Sequence, residues 1–182
     1  MITISNDNLT AAVLKHRLWL DGQAGGECAD LTGMDLRCRD FNGINLRGAN
    51  LSGVDLSGAN LSDTVLIRAD LYGAHLIGAN LTRADLHCAN LADTTIRGTI
   101  MTGADLSGAD LTGADLTGAN LSGTILRRAD LSGANLSGAD LTGADLSGAI
   151  FRHATMTGVD LSGANLTGVD MARVDLTDAI GV

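Results

Sequence analysis

The sequence contains no proline, and only four of its 182 residues are aromatic: Trp19, Phe41, Tyr72 and Phe151. A globular core of interlocking large side chains needs more variety of shape than this, because protein interiors fill space as tightly as organic crystals. Positive charge is also scarce, with 12 Lys and Arg against 21 Asp and Glu, a formal charge of −9 and a pI near 4.6. That balance argues against direct binding of nucleic acid, whose phosphates are held mainly by Lys and Arg. No apolar run reaches the roughly 18 residues of a membrane span. The opening residues, Met1 to Asp7, lack the basic-then-apolar layout of a secretory signal. A cytoplasmic protein with no membrane role is expected. The three cysteines, Cys28, Cys38 and Cys88, are an odd number without metal-site spacing and predict free thiols in a reducing compartment.

What is present is 24 glycines, a 45% hydrophobic content made almost entirely of Leu, Ala, Ile and Val, and a period of five. From 29 to 178 run thirty consecutive units without insertion, such as Ala-Asp-Leu-Ser-Gly at 104–108 and Ala-Asn-Leu-Ser-Gly at 134–138. The central position is Leu in 24 units, and Phe41, Ile96, Met101, Phe151, Met156 or Met171 in the others. Two residues earlier stands Ala in 19 units, with Arg39 the one charged exception. A period of five keeps the Leu positions on one side of neither a helix nor a flat strand. Within a unit the order is small-in, polar-out, large-in, polar-out, Gly-out, and two successive outward residues mark a corner. A chain that turns the same way at each corner winds into a coil whose turns pair as parallel strands about 4.8 Å apart. Stacked Asp residues would repel. A spacing of 20 residues places Asp over Asp four times at the outward pre-Leu position, against seven for a spacing of 15, which favours four sides.

These A(D/N)LxX units resemble the pentapeptide-repeat family over more than four-fifths of the chain. The resemblance implies an all-β, right-handed quadrilateral parallel β-helix, here of about 7.5 coils and roughly 36 Å at strand spacing. Ten units lack Gly at the corner, including those ending in Arg68, Arg83, Arg128 and His153. The expectation is therefore that a positive φ is not compulsory there and that Gly keeps the corner slim.

The division expected is a capping helix and loop over 1–28, the β-helix over 29–178 and a tail over 179–182. The helix is predicted over 8–20, with Asn6 or Asp7 as N-cap and Gly22 past its end. It should act as a lid, with Trp19 over Leu31, Leu36, Phe41 and Leu46 and with Lys15 and Arg17 on the wet side. Arg39, placed to face inward, needs a partner, expected among Asp21, Glu27 and the last helix carbonyls.

No phosphate loop, metal pattern or nucleophile-base pair stands out, so no cofactor, metal or catalytic residue is assigned and the chain is not expected to be an enzyme. His87 beside Cys88 lacks a third ligand, and adjacent outward side chains should diverge. The fifteen pre-Leu Asp residues are too regular for catalytic pairs and are expected to be solvated. Function should lie where the surface departs from the repeat. On a four-sided coil one face gathers Arg47, Val65, Ile67, Arg68, His87, Ile125, Arg127 and Arg128, extended round the corners by Tyr72 and Ile77. Exposed aliphatics and Arg suit a contact surface. The expected function is a non-catalytic interaction scaffold. The alternative, implied by the resemblance, is a DNA mimic that binds DNA gyrase. At the far end Met171, Leu176 and Ile180 are expected to form the contact of a homodimer.

Overall fold

The computed structural model describes residues 2–3, 6–171 and 174–181. A short strand β1 (Ile2–Thr3) and a helix α1 (Asn6–Leu20) lead into the repeats, whose first paired segment is β2 (Met34–Asp35). From Asp30 onward the pre-Leu residues form parallel bridges with the residue 20 positions on, from Asp30↔Asn50 to Asp160↔Ile180, with Ile150 and Asp170 the pair that is skipped. Twenty residues of five-residue units make four sides. Face 1 carries the column through Leu31 and Leu51, face 2 that through Leu36, face 3 that through Phe41 and face 4 that through Leu46.

The unit 109–113 shows what the pattern supplies, because each of its five backbone N–H groups has its own acceptor. Leu111 and Gly113 donate to Asp130 and Ser132 of the next coil, Asp110 donates back to Ala89, and Ala109 closes a turn on Leu106. The fifth, Thr112 N–H, donates to the Asp110 side chain at 2.9 Å. The pre-Leu Asp or Asn is therefore a turn cap more than a solvated group, contrary to the sequence expectation. Only an Asx side chain, two residues back, reaches that N–H. Ser or Thr at the post-Leu position often adds its hydroxyl to the same oxygen, as Thr117 does on Asp115.

The corner residue also departs from expectation. Its φ is positive whether or not it is glycine, from +65° at Gly108 to +56° at Arg68 and +61° at His153. Each described corner is the third residue of a four-residue turn closed by a bond from the next N–H to the inward residue's C=O, typically Ala to Leu, a position that requires positive φ in a type II turn. A Cβ added at Gly73 or Gly118 would meet nothing within 4 Å, so slimness is not what glycine supplies there. Conformation is, and each non-glycine corner carries about 1–2 kcal/mol of left-handed strain.

Inside, the Leu columns from Leu31 to Leu161 are 0–1% exposed. Thr64, Thr94, Thr99 and Thr124 replace Ala there, and each turns its hydroxyl onto a carbonyl, as Thr64 does on Phe41 at 2.8 Å. A lone buried hydroxyl would otherwise cost more than the methyl beside it returns.

α1 covers the first coil, but with different side chains from those expected. Leu9 and Ala12 lie against the core and His16 is fully buried, a spacing of three and four that defines one helix face. His16 Nδ1 accepts the Ala29 N–H at 3.0 Å, and burial pushes its pKa down. Trp19 is 44% exposed, stacked on His16 with centroids 5.5 Å apart and with its ring edge beside Gly48; it is a flank and not the lid. Leu14 of the same helix is 55% exposed. Gly26 lies so close to the helix that a Cβ would collide with the Trp19 backbone. β1 adds parallel pairing to the edge of face 2, Ile2 opposite Met34 and Thr3 opposite Asp35. Glu27, a proposed partner of Arg39, instead pairs with Lys15 at 3.0 Å. Arg39 is half-buried and, behind Arg37, helps hold the Asp35 carboxyl down.

Candidate functional site

Face 4 stacks Asn45, Val65, Asp85, Asp105, Ile125 and Asp145 in its pre-Leu column. Arg47, Arg68, His87, Arg127 and Arg128 are exposed, while Val65, Ile67 and Ile125 are half-buried. The predicted stripe divides into two. Val65, Ile67 and Arg68 belong to one coil, and the same coil continues round face 1 to Tyr72, 51% exposed, and face 2 to Ile77, 48% exposed. This is a belt over three faces. Ile125, Arg127 and Arg128 lie three coils further on, roughly 14 Å away at strand spacing. His87 stands between, its Nε2 3.4 Å from Cys88 Sγ, so these neighbouring side chains converge where they were expected to diverge. Among the described residues no group of three or more His, Cys, Asp or Glu is placed to hold a metal ion.

The local reason for the belt lies in the turn cap. Where Val65, His75 and Ile125 replace Asx, the N–H groups of Ile67, Ile77 and Arg127 receive no acceptor among the described residues. At Val65 with Ile67 and at His75 with Ile77 the pre-Leu and post-Leu positions depart from the repeat together. An outward N–H without a cap is satisfied by water or by whatever covers it.

Four arginines of the rod are paired with aspartates. Arg37 binds Asp35 at 2.7 Å and reaches Asp55, spanning a stacked Asp pair, and Arg83 binds Asp63 at 2.6 Å. Arg97 binds Asp115 and Arg127 binds Asp145, each at 2.5 Å. The Arg127 guanidinium, helped by Ser147, holds the Asp145 carboxyl at about 2. Arg127 is thus less available to a partner than the sequence suggested. Arg47 and Arg68 have no such carboxylate, and with Trp19, Leu20 and Gly48 they line a cleft of about 310 Å³. Tyr72 hydrogen-bonds Asp93, which raises its hydroxyl pKa. Trp19 was missed as a surface residue; its place three positions after His16 on the same helix edge was the available signal.

The far end differs. Leu166, Met171 and Leu176 occupy inward positions but are only half-buried, and Ile180 is 59% exposed.

A rod of stacked four-sided coils with one helix across an end defines a β-solenoid repeat protein. Its segments 27–63, 64–103, 89–128, 104–143 and 139–178 match the family described as pentapeptide repeats, in eight copies, and the chain belongs to that family, whose fold is the right-handed quadrilateral β-helix. Among solved structures it is similar to HetL of the cyanobacterium Nostoc sp. strain PCC 7120, a pentapeptide repeat protein involved in heterocyst differentiation regulation. Identity there is 30% over 90% of this chain and 92% of that one, with a TM-score of 0.42. It is also similar to full-length QnrB1, a plasmid-mediated fluoroquinolone resistance protein, at 28% identity, 81% and 84% coverage and a TM-score of 0.43. Rfr23 of the cyanobacterium Cyanothece 51142 is 28% identical over 96% of this chain and 99% of that one, with a TM-score of 0.30. The curated proteins include no match.

Proposed function

We propose that the protein is a non-catalytic interaction scaffold of the cytoplasm whose contact surface is the belt Val65, Ile67, Arg68, Tyr72 and Ile77, flanked by Arg47. The observation that carries this reading is the joint loss of turn cap and gain of an outward aliphatic side chain, half-buried at Val65 with Ile67 and exposed at Ile77 beside His75. Neither change serves the coil, and together they offer apolar area and backbone donors to a partner. Among the described residues no helix is long and apolar enough to cross a membrane. The test is affinity capture from the source cytoplasm with three baits. A protein held by the unchanged chain and by a face 3 variant, Thr82→Glu with Ser122→Glu, should be lost by Ile67→Glu, Tyr72→Ala and Ile77→Glu combined. Equal retention by all three baits would refute the surface.

Face 1 supports a second reading, a mimic of DNA that binds DNA gyrase. Asp30, Asp70, Asp110 and Asp130 stand in its pre-Leu column, and none of the Arg–Asp pairs lies on them. Micromolar protein should then inhibit gyrase supercoiling, and an unaffected reaction would dispose of the idea. A homodimer through the coil of Leu166, Met171 and Leu176, with Ile180, completes the proposal.

A further inference from the structure

The cleft beside Trp19 allows the partner's chemistry to be named. It is lined by two guanidiniums, an indole, Leu20 and the bare backbone of Gly48, with no carboxylate, on a chain of net charge −9. Arg37, Arg83, Arg97 and Arg127 each bind an Asp, whereas Arg47 and Arg68 stand on adjacent coils without one. The nearby end of α1 adds little negative potential, because its last carbonyls are satisfied internally: Asp21, Gly22 and Gln23 donate to Arg17, Trp19 and Leu18. One residue before Arg68, the Ile67 N–H has no acceptor among the described residues. Trp19 is stacked on His16, so its exposed side is already ordered before anything binds.

Resting on the interaction-surface reading, we infer that this cleft binds an acidic peptide segment, its carboxylates held by Arg47 and Arg68 and one apolar side chain set against Trp19. Guanidinium forks match carboxylates in geometry as well as charge. At about 310 Å³ the cleft lies at the small end of the roughly 300–1,000 Å³ range of ligand sites, which suits one anchor side chain. An extended nucleic acid would carry its phosphates over the Asp column of face 1 and be repelled, whereas a short acidic segment need only cover the cleft.

Trp19 is the only tryptophan, so its emission reports on the site directly. The probes are a synthetic peptide of four glutamates around one leucine, its four-lysine counterpart, and a ten-nucleotide oligothymidine. The glutamate peptide should shift Trp19 emission saturably, more weakly as salt rises. Arg47→Gln with Arg68→Gln should weaken it by roughly tenfold or more at an unchanged melting temperature. No saturation at millimolar peptide, or an equal response to the lysine peptide, overturns the inference; tighter binding of oligothymidine replaces the peptide with nucleic acid. The capture experiment separates the two levels. A partner retained by the double Gln bait but lost by the Ile67, Tyr72 and Ile77 bait refutes the cleft alone, and one retained by both refutes the surface as well.

Discussion

The two ends of the rod are built from the same five-residue unit and bury it to different degrees. At the first coil Leu31, Leu36, Phe41 and Leu46 are 0–1% exposed beneath α1. At the last, Leu166, Met171 and Leu176 occupy the same columns half-buried. An interior coil has a neighbour above and below it, and a terminal coil has one. Burial of a Leu column is therefore a property of stacking and not of the unit, as expected when each repeat touches only its neighbours. The helix supplies the missing neighbour at one end.

The largest test of that contrast compares two leucines of face 2. Leu36→Ala removes a fully buried side chain and should cost about 2–5 kcal/mol, the usual range for such truncations. Leu176→Ala starts from a half-buried side chain and should cost about half as much or less. Urea denaturation of both variants decides it, and equal losses would show that the last coil is as well covered as the first.

Gly26 probes the lid itself. Because a Cβ there collides with the Trp19 backbone, Gly26→Ala must push α1 off the first coil, and overpacking of this kind costs about 1–3 kcal/mol. The expected outcome is a lower melting temperature with Trp19 emission moved to longer wavelength. A neutral Gly26→Ala would mean that the helix contributes little, and the two ends would then be alike.

Much of this was legible in the residues. The period of five, the inward Leu and the cap by a helix follow from which positions can be apolar, and the 20-residue spacing was hinted by Asp placement. The corner conformation was not legible, because the ten non-glycine corners in the sequence argued that positive φ was optional, whereas the turn hydrogen bond imposes it on Cys38, Arg68 and Arg128 alike. Nor was the role of Asp and Asn, which depends on an oxygen reaching an N–H two residues on. Trp19 was assigned to the lid for its size, but the helix phase set by Leu9 and Ala12 turns His16 inward instead. The surface belt was legible as a departure from consensus, and its division from Ile125 only through the coil order.

His16 makes the covered end sensitive to acid in a way the open end is not. Burial lowers its pKa below the ordinary value near 6.5, so the unfolded chain takes up a proton that the native chain refuses. Stability from this group is complete above about 6.5 and falls as pH drops from there toward the lowered native value. Protonation also turns Nδ1 from an acceptor of the Ala29 N–H into a donor. The carboxylates act in a lower window: Asp35, held by Arg37, and Asp145, held by Arg127, titrate at about 2, so their contribution is lost only below the usual carboxylate range. Denaturation at pH 7.5 and 5.5 should show a loss that His16→Gln, which keeps an acceptor oxygen, largely removes. An identical loss in the variant would assign it to other groups.

The smallest effect on folding, and the sharpest on assembly, is expected at the open end. The half-buried Leu166, Met171 and Leu176, with Ile180 at 59% exposure, form an apolar end face beside the last bridged residues, Asp175 and Ile180. Such a face and its strand edge associate unless covered. A two-fold contact is self-complementary and closes after two copies, whereas a head-to-tail contact would need a second, matching surface, and at the other end that position is occupied by α1. Met171→Glu with Ile180→Glu changes side chains that are already partly wet and lie in the last coil alone, so the rest of the rod should stay folded. The same charges, repeated across a two-fold axis, would face each other at close range. Sedimentation at micromolar concentration should therefore give twice the chain mass for the unchanged protein and the single-chain mass for the variant, with the same β signal in circular dichroism. A monomeric unchanged protein would end the dimer proposal and leave a rod that tolerates one wet end.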